Sequence, residues 1–203
     1  TNSSVKKVVI TMTKQQLRKQ YKAARLAIEG HKRLQYDDLM LLQFQQMYFE
    51  EVTTLLTYWP MSNMAEPNMH LYNGYMRHMY PGLQQCFPKT NSNFTAMDAI
   101  AIHEETVYVT NDKGITEPKN GSLVAPTSID LIFVPLLVCD EQGYRVGYGK
   151  GFYDKFIAQC RAEVLLVGFS YFLPVKAIAD VDEWDIPLHY CITPERIIDF
   201  TER

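Results

Sequence analysis

No apolar run in these 203 residues approaches the roughly 20 needed to cross a bilayer, and no secretory signal is visible. Cysteine is scarce. Cys86, Cys139, Cys160 and Cys191 lie far apart and form no C-x-x-C, which excludes a disulfide frame and a zinc knuckle and predicts reduced, mostly buried thiols in a cytosolic protein. A basic excess is missing too: the net charge is −3, unlike a general nucleic-acid binder. There is no internal repeat, no low-complexity tract and no interdomain linker. Neither G-x-x-x-x-G-K-[ST] nor G-x-G-x-x-G is matched, because the third glycine of the latter would fall on Phe152.

What is present suits one α/β domain with a sizeable core, at 47% apolar and 21% charged residues. Met12 is a plausible start, with residues 1–11 an upstream extension or expression remnant and residues 12–203 the single domain. The segment "TKQQLRKQYKAARLAIEG" predicts a helix with Thr13 as N-cap and Gly30 as stop. Leu17, Tyr21, Ala24 and Ile28 make its apolar stripe. Lys14, Arg18, Lys22 and Arg25 make a second stripe about 90° round, at about 100° per residue. Helix geometry alone favours a solvated basic face for the second stripe; the alternative is that Lys14 and Arg18 lean over an anion site.

Further on, "DDLMLLQFQQMYFEE" and "EPNMHLYNGYMRHMY" predict helices, the latter ended by Pro81-Gly82. "VTTLLTYW", "TAMDAIAIH", "ETVYVT", "DLIFVPLLV" and "AEVLLVGFS" predict strands, the fourth apolar throughout, as in a parallel strand covered on both faces. "KGFYDKFIAQC" predicts a helix. The alternation implies a three-layer αβα architecture with a mostly parallel or mixed central sheet, whose ligands sit at strand carboxyl ends.

The stretch "DEQGYRVGYGKGFYD", residues 140–154, places Gly147, Gly149 and Gly151 between strand and helix, with Lys150 among them. Glycines let backbone approach a ligand closely, and a following helix start favours anions, so the loop reads as a phosphate cradle. The plain alternative is a glycine-rich hairpin running into a helix. Asp154, in the first helical turn, would repel a phosphate unless a cation such as Mg²⁺ lay between them. Simple helix-dipole stabilisation is the other account of that acid.

The segment "DLIFVPLLVCDEQGYRVGYGKGFYDKFI" resembles the signature of the 5-formyltetrahydrofolate cyclo-ligase (5,10-methenyltetrahydrofolate synthetase) family. "KQQLRKQYKAAR", "YWPMSNMAEP", "GITEP" and "EWDIPLHYCITPE" are similar to further family segments, in order from Lys14 to Glu195. The chain departs from the family in three places. "YFLPVKAI" lacks a usual glutamine, His189 stands where a second aspartate is frequent, and Phe152 replaces the more usual tyrosine.

The resemblance implies a fold like the sugar-phosphate isomerase and CoA-transferase group. It also implies ATP-dependent cyclisation of 5-formyltetrahydrofolate, possessing or lacking a polyglutamate tail, to 5,10-methenyltetrahydrofolate, with release of ADP and phosphate. It assigns ATP to Lys14, Arg18, Arg145, Gly147, Tyr148, Gly149, Lys150, Gly151, Phe152 and Tyr153. It assigns the folate to Met61, Glu66, Lys150, Gly151, Phe152 and Tyr153, catalysis to Lys150 and Tyr153, and Mg²⁺ to Asp154 and Asp185. The five histidines read as surface or satisfied groups, and the Met-rich segment from Met61 to Met79 as core or pocket lining. A monomer acting in the cytoplasm, without nucleic acid or membrane partners, is the default expectation. Other readings are a sugar-phosphate isomerase or related phosphate-binding enzyme, and a non-catalytic folate or nucleotide binder.

Overall fold

The strand at Leu131–Val134 lies at the middle of the molecule, and its four residues are fully buried. Leu131 and Phe133 face one apolar cluster while Ile132 and Val134 face another, so the period-two alternation of a strand separates two cores. A computed structural model describes residues 11–49 and 51–202. The proposed extension, residues 1–11, lies outside these but for Thr11.

Chain order is α1 (Lys14–Leu26), α2 (Gly30–Phe44), β1 (Thr54–Leu56), α3 (Met69–Met79), β2 (Gln84–Thr90), β3 (Met97–Ala101), β4 (Tyr108–Thr110), β5 (Thr116–Pro118), β6 (Leu123–Val124), β7 (Leu131–Val134), β8 (Val138–Cys139), β9 (Arg145–Val146), α4 (Phe152–Ile157), β10 (Leu165–Phe169), β11 (Tyr190–Ile192) and β12 (Ile197–Asp199). The main sheet has eight strands in the order β12-β11-β10-β7-β1-β2-β3-β6. Its inner strands β11, β10, β7, β1 and β2 run parallel; β12, β3 and β6 join antiparallel at the edges. The expected mixed, mostly parallel sheet between helices is what forms.

Residues of α2 and α3 (Met40, Phe44, Met69, Tyr72 and Met76) cover one face with Phe133 and Phe169. Tyr72 stacks on Phe169 with ring centroids 4.3 Å apart. Phe156 and Ile157 of α4 cover the other face. Helix α1 packs instead on β8 and β9 through Leu17, Val138 and Val146.

Several boundaries differ from expectation. Gly30 does not stop α1; it opens α2, which ends at Phe44 rather than running to Glu51. Pro135 divides "DLIFVPLLV" into β7 and β8. Strand β2 carries Pro88 in its interior and shows no simple pattern. Pro88 is tolerated because β1 pairs only with Gln84–Cys86, leaving that side free of a ladder bond at residue 88. His189 serves the sheet: the Leu166 N–H donates to its Nδ1 at 2.9 Å and its own N–H donates to the Leu166 carbonyl.

Candidate active site

Tyr58 lies two residues past the carboxyl end of β1, Pro135 follows β7 and Thr90 ends β2, and all three line one cavity of about 1040 Å³. Strand ends are where an α/β sheet offers free backbone and loop side chains to a ligand. The glycine loop, the start of α4, helix α1, the segment 182–185 and parts of the segments 59–66 and 113–117 add further wall.

Thr13 caps α1 in a reciprocal box with Gln16, fixing where the basic stripe begins. That stripe is not the solvated face that helix geometry alone favours. Lys14, Arg18 and Lys22 line the cavity, and Arg25 is fully buried. Arg18 Nε donates to the Gly147 carbonyl at 2.8 Å, so helix and loop are one structure.

Gly149 and Gly151 have φ of +88° and +69°, the left-handed region that favours glycine. A side chain at Gly149 would meet the Arg18 guanidinium at 3.3 Å. Helix α4 has only six residues, so its amino end contributes less to an anion site than the cations beside it. Lys150 is exposed on the loop at the cavity mouth.

Both expected metal acids are in the cavity wall, each already paired with a cation. Asp154 Oδ1 accepts from Arg145 Nη2 at 3.0 Å and from the Ile186 N–H at 3.1 Å. Asp185 Oδ2 accepts from Lys14 Nζ and from the Asp182 N–H. Burial pushes the Lys14 ammonium down, but Asp185 and Asp182 more than offset this and hold it above its ordinary value. Arg145 is almost fully enclosed and also donates to the Ile186 carbonyl at 2.7 Å, so it is not a solvated hairpin residue. Among the described residues no cluster of three or more His, Cys, Asp or Glu could hold an ion by itself. The donor set fits a Mg²⁺ ion carried in by phosphate oxygens and water, since each carboxylate spends a single oxygen on these protein partners.

Glu66 lies deeper. The 3-10 turn Ser62–Met64 ends at Ala65, whose φ of +48° turns the chain inward. Glu66 Oε2 accepts the Met61 N–H at 2.7 Å and Oε1 accepts the Tyr148 hydroxyl at 2.6 Å. Burial pushes the Glu66 carboxyl above its ordinary value, and those two donors with the Arg25 charge offset only part of the rise. Burial also raises the hydroxyls of Tyr58, Tyr148 and Tyr153, so all three stay protonated. Met61, Phe152 and Tyr153 line the same cavity, which therefore holds every expected site residue.

Sequence reasoning missed Tyr58, Trp59, Glu117 and Trp184 in the walls. "GITEP" pointed to Glu117, whose Oε1 accepts from the Thr90 N–H and hydroxyl at 2.7 and 2.6 Å. Trp59 packs edge-on against His70 and tilted against Tyr108, contacts that no local pattern announces.

A mixed sheet with a large, cation-rimmed cavity at its strand ends defines an α/β domain of the kind that binds an anionic small molecule. The family model of 5-formyltetrahydrofolate cyclo-ligase matches residues 10–194. The chain belongs to that family. It is 35% identical over 98 residues to 5-formyltetrahydrofolate cyclo-ligase of Escherichia coli K12, covering 47% of this chain and 54% of the relative. It is 33% identical over 118 residues to the probable 5-formyltetrahydrofolate cyclo-ligase of Schizosaccharomyces pombe, covering 50% and 57%. The chain thus spans about half the length of the curated relatives it matches. A solved structure of Aquifex aeolicus 5,10-methenyltetrahydrofolate synthetase superposes with a TM-score of 0.77 at 25% identity, covering 95% of both chains.

Proposed function

We propose that the chain cyclises 5-formyltetrahydrofolate to 5,10-methenyltetrahydrofolate, consuming ATP and releasing ADP and phosphate. The observation that carries this reading is one cavity that has cations at its mouth and Glu66 in its depth. Its volume of about 1040 Å³ reaches the top of the range of about 300–1,000 Å³ for ligand pockets, room for two ligands side by side. The Arg18–Gly147 bond, which brings the basic helix against the loop, favours this over a sugar-phosphate isomerase, which needs no such helix.

Lys14, Arg18 and Lys150 bind the phosphates of ATP, with Arg145 and Tyr148 behind them and the loop backbone from Gly147 to Gly151 alongside. Lys14 exchanges its acidic partners for phosphate oxygens on binding. Asp154 and Asp185 would hold a Mg²⁺ ion, which would supply charge neutralisation for phosphoryl transfer. Lys150 bears on the transferred γ-phosphoryl, and Phe152, Tyr153 and Met61 wall the formyl group.

The formyl oxygen attacks the γ-phosphorus and the bond to ADP breaks. The formamide becomes an imidate phosphate, whose carbon is now electrophilic. N10 attacks that carbon, its proton passes to Glu66, and the carbon–oxygen bond breaks with phosphate leaving. Each step needs positioning and charge neutralisation more than covalent help from the protein. Cys86, Cys139 and Cys191 are buried and outside the cavity wall, and no nucleophilic thiol is called for. Mixing the protein with 5-formyltetrahydrofolate and Mg·ATP should raise methenyl absorbance in step with ADP. Ligand binding without either product would leave a non-catalytic binder.

A further inference from the structure

Arg25 is among the largest fully buried side chains of the protein, at 2% exposure. A guanidinium leaves water only at a high cost, which its surroundings must offset. Its three nitrogens reach three different segments. Nε donates to the Met64 carbonyl at 2.9 Å, in the turn that carries Glu66. Nη1 donates to the Leu136 carbonyl at 3.0 Å, just after β7. Nη2 donates to the Tyr148 hydroxyl, in the glycine loop. One residue of α1 therefore ties the folate end of the cavity to the phosphate end.

The hydrogen-bonding capacity of Tyr148 sets the direction of this chain of contacts. A phenol has one proton, and an arginine can only donate. Since Tyr148 accepts from Arg25, its own proton goes to Glu66 Oε1. The Met61 N–H already donates to Oε2. Both oxygens of Glu66 thus receive a hydrogen bond, and the relay presents them as acceptors with remaining lone pairs.

We propose that Arg25 is a positioning residue for ring closure: through Tyr148 it holds Glu66 as an oriented carboxylate able to take the proton from N10. The inference rests on the ring-closing reaction proposed above. It also explains the pairing of a buried cation with a buried acid. Burial pushes the Glu66 carboxyl up, toward the protonated form that cannot accept a proton, while the Met61 N–H, the Tyr148 hydroxyl and the Arg25 charge pull it back. The Arg25–Tyr148 relay opposes burial and favours the charged, proton-accepting form of Glu66. The groups facing Glu66 are Arg25 from α1, Tyr58 after β1, Tyr148 from the loop and Tyr153 from α4. Arg25 is the one cation among them.

The test uses Arg25→Met and Tyr148→Phe, with two readouts. One is the titration of the Glu66 side-chain carboxyl in ligand-free protein, followed by ¹³C NMR with Glu66→Gln to assign the signal. The other is the pH profile of kcat for ring closure. Both variants should move the Glu66 titration and the acid limb of kcat to higher pH, while in Arg25→Met, which lies outside the cavity wall, KM for ATP stays within about twofold. The double variant should shift no further than the larger single one, since the two residues act as one relay. A folded Tyr148→Phe protein whose Glu66 titrates as in the parent overturns the proposal, even if Arg25→Met fails to fold. A lowered melting temperature with an unmoved titration would make Arg25 a purely structural brace. The NMR readout needs no turnover, so a parent protein that closes no ring would refute the function while leaving the relay decided on its own evidence.

Discussion

Arg18 and Gly149 are fitted to one another: the guanidinium carbon lies 3.3 Å from where a Gly149 side chain would begin, while Arg18 Nε holds the Gly147 carbonyl two residues earlier. The glycine is therefore required twice, once by its φ of +88° and once by its neighbour. Gly149→Ala should displace the guanidinium and weaken ATP at least about tenfold, with a smaller effect on folate. Gly147→Ala, where φ is not positive and nothing lies within 4 Å, should change ATP affinity less than about threefold. Isothermal titration of both variants with ATP and with 5-formyltetrahydrofolate checks the ranking. Equal loss in the two variants would show that the loop, not its fit to Arg18, sets affinity.

Asp154 makes a different prediction. It accepts from Arg145 and from the Ile186 N–H with the same oxygen. Asp154→Asn keeps an acceptor but loses the charge. If Mg²⁺ is held there, the Mg²⁺ concentration needed for half-maximal rate should rise several-fold and the maximal rate fall. If the acid serves only Arg145 and the helix end, the melting temperature should drop by the equivalent of about 0.3–1 kcal/mol with no change in Mg²⁺ demand. Activity titrated against Mg²⁺, with thermal melts beside it, separates the two.

Asp130 anchors the sheet away from the site. Its Oδ2 accepts the Thr53 N–H at 2.7 Å, the Thr53 hydroxyl at 2.8 Å and the Thr54 N–H at 2.9 Å, and Arg161 pairs with Oδ1. Burial pushes this carboxyl up, but the three donors and Arg161 overcome it and hold it below the ordinary 3.8. A depressed carboxyl binds fewer protons folded than unfolded. Its contribution is present above the ordinary value and is lost as pH falls through the folded one. Asp130→Asn should cost about 1–2 kcal/mol at neutral pH, and the difference from the parent should shrink as pH drops below about 4. Urea melts at several pH values test this; a pH-independent difference would mean that shape, not charge, is what Asp130 supplies.

The sequence carried the glycine loop, the sheet class and the position of Glu66 because each leaves a local trace: alternate glycines after an apolar run, strands without polar interruption, a motif ending in an acid. It did not carry the fate of the basic stripe. Arg18 and Arg25 lie on the same stripe and are both arginine. One donates to the loop at the cavity wall and the other is entombed, and the difference depends on Leu136, Met64 and Tyr148, which are distant in sequence. Likewise β11 and β12 are three-residue strands whose pairing, not composition, makes them strands. Asp185 was legible as an acid but not as the partner of Lys14, 171 residues earlier.

The phosphorylated-formyl route has one required consequence: the formyl oxygen must leave on phosphorus. Substrate labelled with ¹⁸O in the formyl group, turned over with unlabelled ATP in unlabelled water, should give inorganic phosphate carrying one ¹⁸O for each ring closed and each ADP formed. Label recovered in water, or rings closed without ADP, would contradict the account.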